Sequence, residues 1–391
     1  MKHLRYLFSV SIAVLALVSC QKKQAGDTLP DMGGDCFTFT ADLSDTKAYF
    51  ANDNASLYWS GGESLSVYAV PTVSDGANES LDWSRAYCTS ASQIGGYTSR
   101  TIATFATRCT TEELFSKAEE GERLVLLAVH PFSGDPYFSP AILTGNGNTF
   151  SGIEVSIPNW QYDSNNSNSA NCYFMCGTAG KISLAEALDA PKITFLSFRP
   201  ATSMLSFKFK SSEGDIYPQA IKLSLIKPDN EYVDIAGDCL LVLDNYASAS
   251  AWPGNGIVDG SYQAIPYSYI DAATYDEVAG TSAVSAYKRY KDIQGYVWDT
   301  INTEGTSIYY NYTLFPSKVP EGSYLLIELY DSSYKTIAST TKSLPSYTID
   351  GTTVYGFLSG RRYLSTITFS PFLQTSSNDW VEAGFYTDIT W

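Results

Sequence analysis

The chain has 391 residues, 44% of them hydrophobic and 14% aromatic, with 29 tyrosines and only 17% charged residues. Its 25 Lys and Arg stand against 41 Asp and Glu, a formal net charge of −16. A surface of that sign repels phosphate backbones and anionic headgroups, which excludes nucleic acid as a partner and a polybasic clamp on lipid.

The start of the chain reads as an export signal. Lys2, His3 and Arg5 precede an apolar run from Leu7 to Val18. That run is shorter than the roughly 20 residues a membrane span needs, so residues 1–19 are expected to be a cleaved signal peptide. The box Leu17-Val18-Ser19-Cys20 places a thiol directly after a small residue. Cys20 is therefore the expected lipidation site, becoming the acylated N-terminus of a bacterial lipoprotein held by its lipid. Gln21 does not resemble an inner-membrane retention residue, which favours the outer membrane. Residues 20–35, polar and rich in Gly, Asp and Lys, read as a flexible tether.

From there the pattern is strand after strand. Phe37, Phe39, Ala41 and Leu43 alternate with polar residues, as do Leu65, Val67 and Ala69 further on. Leu124, Leu126 and Ala128 face one way within 123–130, and Ile153, Val155 and Ile157 alternate before Pro158. Gly61-Gly62, Gly95-Gly96 and Gly145-Asn146-Gly147-Asn148 supply turns between the runs. Only 110–120 and 184–188 look mildly helical. A second set of strands begins near Pro191: Leu205, Phe207 and Phe209, then Ile221, Leu223 and Leu225. The run Tyr324 to Leu329 reads as buried on both faces or nearly so. Between 245 and 300 the pattern dissolves into Ala, Ser, Tyr, Gly and Pro, as in an insertion. Val381, Ala383, Phe385, Thr387, Ile389 and Trp391 alternate to the last residue. The expected fold is all-β, with two tandem β-sandwich domains at 36–190 and 191–391, the second carrying an insertion around 245–300.

Chemistry is sparse. Past the signal peptide His130 is the sole histidine, and neither a zinc-binding H-E-x-x-H nor a G-x-S-x-G elbow accompanies it. His130 reads instead as a strand-end residue before Pro131. Gly254-Asn255-Gly256 with Gly260 does not fit a dinucleotide loop. No metal, cofactor or catalytic residue is expected, and the chain reads as non-enzymatic. Cys36, Cys88, Cys109, Cys172, Cys176 and Cys239 permit disulfides in an exported protein without choosing a pairing. The Cys172–Cys176 spacing suits buried thiols on one strand better than a redox pair.

Several segments, in order, resemble the fimbrillin-like lipoproteins of Bacteroidales. Thr46-Lys47-Ala48-Tyr49-Phe50 followed by Trp59-Ser60-Gly61-Gly62-Glu63-Ser64-Leu65-Ser66-Val67 is similar to that family's "R-T-x-F … W-x-x-G-D-x-I-x-V" opening. Thr104-Phe105, Ala128-Val129-His130-Pro131, Ile157-Pro158-Asn159-Trp160-Gln161, Phe198-Arg199-Pro200, Ile235-Ala236-Gly237, Leu314-Phe315-Pro316 and Phe357-Leu358-Ser359-Gly360-Arg361-Arg362-Tyr363 continue the match. The resemblance implies two transthyretin-like β-sandwich domains and a fimbrial role as stalk, anchor or tip subunit. It also implies proteolytic removal of the lipidated first strand and its replacement by a donor strand from another pilin subunit.

On that reading Lys47-Ala48 is the expected processing site, with Lys where the family has Arg. Val381, Ala383, Phe385, Ile389 and Trp391 are the expected donor-strand residues. The other readings are that 37–43 is a permanent first strand and 381–391 the last strand of its own sandwich. A competing function is glycan binding by a resident outer-membrane lipoprotein, with Trp252 and Trp298 as contacts. A tip adhesin, meeting a host or microbial surface ligand, would merge the two. Asp299-Thr300-Ile301 resembles a short O-glycosylation sequon.

Overall fold

The computed structural model describes residues 36–43, 50–51, 54–55, 59, 62–75, 78–99, 101–130, 140–145, 148–161, 174–179, 181–189, 194–242, 263–266, 274–277, 280–282, 288–349, 351–370, 375–376 and 381–384. The first half runs through β1 (Cys36–Asp42), β2 (Ser64–Asp75), β3 (Tyr87–Ser99), β4 (Ile102–Thr110), β5 (Arg123–His130), β6 (Asn148–Ile157), β7 (Met175–Thr178) and β8 (Thr194–Pro200). The second continues with β9 (Ser203–Ser211), β10 (Ala220–Ile226), β11 (Ala236–Val242), β12 (Asp292–Tyr296) and β13 (Tyr310–Leu314). It ends with β14 (Tyr324–Tyr330), β15 (Thr336–Ser343), β16 (Arg361–Phe369) and β17 (Val381–Gly384). The chain is all-β, and the helices among the described residues are short: Thr111–Leu114, Leu184–Asp189 and a 3-10 turn at Trp83–Arg85. Of the helical pattern at 110–120, only the first turn forms. Thr110 and Glu113 close a capping box there, each side chain bonding the other's backbone N–H.

Seven of the early strands close on themselves. The hydrogen-bonded order β5-β7-β8-β1-β4-β3-β2 returns to β5 through a β2–β5 ladder from Ser66↔Val129 to Pro71↔Leu124. Closure leaves no free edge among these seven. Strand alternation then sorts their side chains into two cores. Phe39, Ala41, Leu65, Val67, Ala69, Phe105, Leu126, Ala128, Leu196 and Phe198 fill the inside. Tyr68, Val70, Leu127 and Val129 face outward into the second core. There they meet Ile153, Val155 and Ile157 of β6 and Cys239 and Leu241 of β11, which pair antiparallel from Ile153↔Leu241 to Ile157↔Gly237. This sheet also takes Gln263–Pro266 and Thr274–Glu277 from the patternless segment.

The later strands form two sheets facing one another across the same core, β13-β9-β16-β17 and β12-β10-β14-β15. The pairing of β9 with β16 is parallel, Met204↔Arg362 to Ser211↔Phe369. Only one face of β14 is buried: Leu325, Ile327 and Leu329 are inside, while Tyr324, Leu326, Glu328 and Tyr330 are half-exposed. The expectation of two buried faces fails because, among the described residues, only the inner face meets an opposing sheet, leaving Leu326 half-exposed on the outer one.

Cys36, Cys88, Cys109, Cys176 and Cys239 are all free thiols. Burial raises the thiol of Cys88 to about 12 and pushes those of Cys176 and Cys239 well up as well. Cys172 lies outside the described residues.

Candidate functional site

The place where β1 sits is the feature with the clearest chemistry. β1 runs antiparallel to β4 (Phe39↔Phe105, Ala41↔Ala103) and parallel to β8 (Phe39↔Thr194, Ala41↔Leu196). It is therefore one stave of the closed ring, although residues 44–49, containing Lys47 and Ala48, follow it almost at once. Phe37, Phe39, Ala41 and Leu43 point inward, at 5%, 1%, 0% and 1% exposure. Phe37 stacks on Phe39 at 6.3 Å between centroids, and Phe39 on Phe105 at 5.8 Å. Fully burying a side chain of this size contributes roughly 1.5–3 kcal/mol, so β1 is held by several such terms besides its two hydrogen-bonded ladders. Without it, β4 and β8 would present two facing edges and a row of empty apolar pockets.

Trp59 closes the groove from inside. Its indole N–H donates to the carbonyl oxygen of Ala41 at 3.2 Å. The ring lies edge-on to Phe105 at 5.0 Å and to Phe198 at 5.5 Å, with His130 at 5.8 Å. Phe105 stands level with Phe39, while Phe198 lies two residues beyond Leu196, the partner of Ala41. The indole thus bridges β4 and β8 across β1 at Ala41. Small residues there make its room, Ala41 and Ala103 both being 0% exposed. Gly177 does the same for Phe198: a Cβ at Gly177 would come within 2.7 Å of the Phe198 ring.

Sequence periodicity could not find Trp59, since it lies in no alternating run. Its signal was the W-x-x-G element of the family resemblance. Gln161, from I-P-N-W-Q, is a second such residue. Its side chain holds both backbone groups of Thr313 in β13: Oε1 accepts the N–H at 2.7 Å and Nε2 donates to the carbonyl at 2.6 Å. Its own backbone N–H donates to the Gln294 carbonyl of β12 at 2.7 Å. One residue thereby closes the edges of both later sheets.

Cys20, Lys47, Ala48, Trp252, Phe385, Ile389 and Trp391 lie outside the described residues. Val381 and Ala383 belong to β17, which pairs antiparallel with β16 of the same chain, Arg362↔Ala383 and Leu364↔Val381. Trp298 is 56% exposed. Its ring lies 5.0 Å from that of Tyr296, which in turn meets Trp160 edge-on at 5.0 Å. In the sequon-like tripeptide Thr300 is exposed and Ile301 buried. His130 ends β5, with Nε2 at 3.3 Å from Glu63 Oε2. Among the described residues no group of three or more His, Cys, Asp or Glu is placed to hold a metal ion.

The arrangement defines an all-β chain whose first strand is held between β4 and β8 as one stave of a closed ring. Solved structures similar to it include a candidate cell adhesion protein from Bacteroides ovatus, 13% identical, covering 89% of this chain and 96% of that one at a TM-score of 0.45. A second, from Bacteroides uniformis, is also a candidate cell adhesion protein, 12% identical, with 90% and 98% covered at 0.38. A third is the tip fimbrial protein Mfa3 from Porphyromonas gingivalis with C-terminal truncation, 10% identical, with 88% and 96% covered at 0.34. No protein-family model matches the chain, and no curated protein does.

Proposed function

We propose that the protein is a non-enzymatic subunit of fimbriae on the cell surface, assembled by strand addition and contributing to adhesion. The observation that carries this reading is the position of β1: a stave of a closed ring, separated by a few residues from Lys47. An extended segment bound through main-chain ladders and alternate side-chain pockets is the geometry of β-augmentation. Carrying its own filler keeps the two edges covered until assembly, when bare edges would invite aggregation. Cys20 then serves as the temporary lipid tether of the unassembled subunit in the outer membrane. Cutting between Lys47 and Ala48 releases tether and filler together, and a segment of another pilin subunit takes the vacated place. The test is limited trypsin treatment followed by gel electrophoresis without boiling. A ladder of stable multimers is expected. Monomer alone, with residues 36–43 still in place, would refute the reading.

A second reading is favoured by one observation, the exposed ring of Trp298 beside Tyr296 and Trp160. Aromatic faces of this kind stack on the C–H faces of sugars, so a resident lipoprotein would bind surface glycans there, with Trp252 contributing. Glycan-array binding that survives Trp298→Ala would remove this reading and leave the first untouched.

A further inference from the structure

We infer that Trp59 is the specificity-determining residue of the groove, and that the groove accepts a strand of a different protein rather than the C-terminal strand of a second copy. The inference rests on the strand-addition reading above and adds which partner fits. The indole spans the groove from Phe105 to Phe198 with its N–H on the carbonyl of Ala41. Whatever strand lies in the groove must pass under that ring, with a side chain no larger than alanine at the Ala41 position. It must also offer a carbonyl there for the indole N–H, since a buried donor left unpaired is costly.

The other pockets want bulk. Phe37, Phe39 and Leu43 are each at most 5% exposed, and smaller groups in their places leave cavities. The outward positions hold Cys36, Thr38, Thr40 and Asp42. The fitting ligand is thus an extended segment reading large-x-large-x-small-x-large from N- to C-terminus, with small or polar residues between.

Residues 379–391 do not meet this pattern in any register. With Phe385, Thr387, Ile389 and Trp391 inward, Ile389 falls under the indole. Moving back by two puts β-branched Thr387 there and leaves Ala383 in the space of Phe37. Moving back by four sets Phe385 against the indole. Back by six brings Ala383 under it, yet Val381 replaces Phe39 and the carboxylate of Asp379 takes the place of Phe37. The alternate face turns Glu382 or Asp388 inward, burying a charge without a partner. In the direction of β1 each register fails on size or on charge; reversed, the nearest fit sets Val381, Ala383 and Phe385 at the Leu43, Ala41 and Phe39 positions but leaves Thr387, and a cavity, in the space of Phe37.

The test uses the full chain from Cys20, with a single engineered protease site replacing residues 44–49, cut while both pieces stay together. Labelled peptides are then offered: residues 34–45, the same peptide with Ala41→Leu, and residues 379–391. The parent peptide is expected to displace the resident strand. Ala41→Leu should bind about tenfold to a hundredfold more weakly, as overpacking costs, and should regain affinity against protein carrying Trp59→Ala. The tail peptide should not exchange. Equal binding of the Ala41→Leu peptide, or exchange of the tail as good as the parent's, overturns the inference.

In the uncut chain, Ala41→Leu should lower the melting temperature and added Trp59→Ala should recover part of the loss; no such coupling also overturns it. If coupling is present but even the parent peptide never exchanges, strand addition itself fails and takes the partner assignment with it, while the steric role of Trp59 stands.

Discussion

Gln161→Ala is the substitution whose cost follows most directly from geometry. Gln161 is 6% exposed and Thr313 0%. Truncation removes the acceptor of the Thr313 N–H and the donor to its carbonyl, and also the contact from Nε2 to the Pro158 carbonyl at 3.1 Å. Each orphaned buried backbone group costs about 1–3 kcal/mol; with two, and the lost packing of the side chain, the expected loss is about 3–5 kcal/mol. Urea unfolding followed by far-ultraviolet circular dichroism and tryptophan fluorescence would read it as a lower midpoint.

Gln161→Glu sharpens the test. It keeps the acceptor, loses the donor and sets a carboxylate against two carbonyls, so burial and repulsion raise its folded pKa above the unfolded value. A raised pKa favours the fold below the unfolded pKa and loses that benefit as pH rises through the folded one. Gln161→Glu should therefore be poorly stable at neutral pH and approach wild type in acid. A Gln161→Ala loss below about 0.5 kcal/mol, an ordinary surface effect, would refute the reasoning.

Gly237 has φ +121, and a Cβ there would overlap the Lys288 backbone carbonyl; Gly237→Ala should cost about 2 kcal/mol or more, seen as a lower melting temperature, and unchanged melting would contradict it. Arg85 donates to Glu122 at 2.7 and 3.0 Å and to Asp82 at 2.7 Å. The Arg85 hydrogen bonds, helped by the Glu119 N–H, hold the Glu122 carboxyl below its ordinary range. A depressed carboxyl pKa stabilises the fold above the unfolded pKa, and that benefit is lost as pH falls. The melting gap between wild type and Arg85→Ala should be full at neutral pH and close as pH drops from about 5 toward 3; a gap unchanged in acid would contradict it.

Much of the fold was legible wherever alternation is strict. Phe37 to Leu43, Ile153 to Ile157, Leu205 to Phe209 and Ile221 to Leu225 are all strands with the expected side chains inside. Alternation gives the face a residue takes but not the strand it meets. The ring closure by β2 and β5, and the parallel pairs β1–β8 and β9–β16, join segments far apart in sequence and left no local mark. The 245–300 segment looked patternless, although Asp292–Tyr296 is an ordinary strand with Ile293 and Gly295 inside. Glycine at one of two inward positions hides the period; it is required because a Cβ there would meet the Gln161 carbonyl at 2.6 Å.

The site was half legible. The alternating strand ahead of Lys47 marked the groove's occupant. Trp59 and Gln161 act from aperiodic segments on partners 18 and 152 residues away, and only the family-like motifs around them gave notice. Tyr363 shows the same logic: its hydroxyl accepts the Leu358 N–H at 2.7 Å across the turn of the F-x-x-G-k-x-Y-like segment.

The central claim is that β1 is a removable filler. The most direct measurement is the N-terminal residue of this chain in fibres sheared from cells that make it. The account predicts Ala48, with residues 36–43 gone and another subunit's strand between β4 and β8. Fibres built from chains that still begin at acylated Cys20 and retain β1 would contradict it.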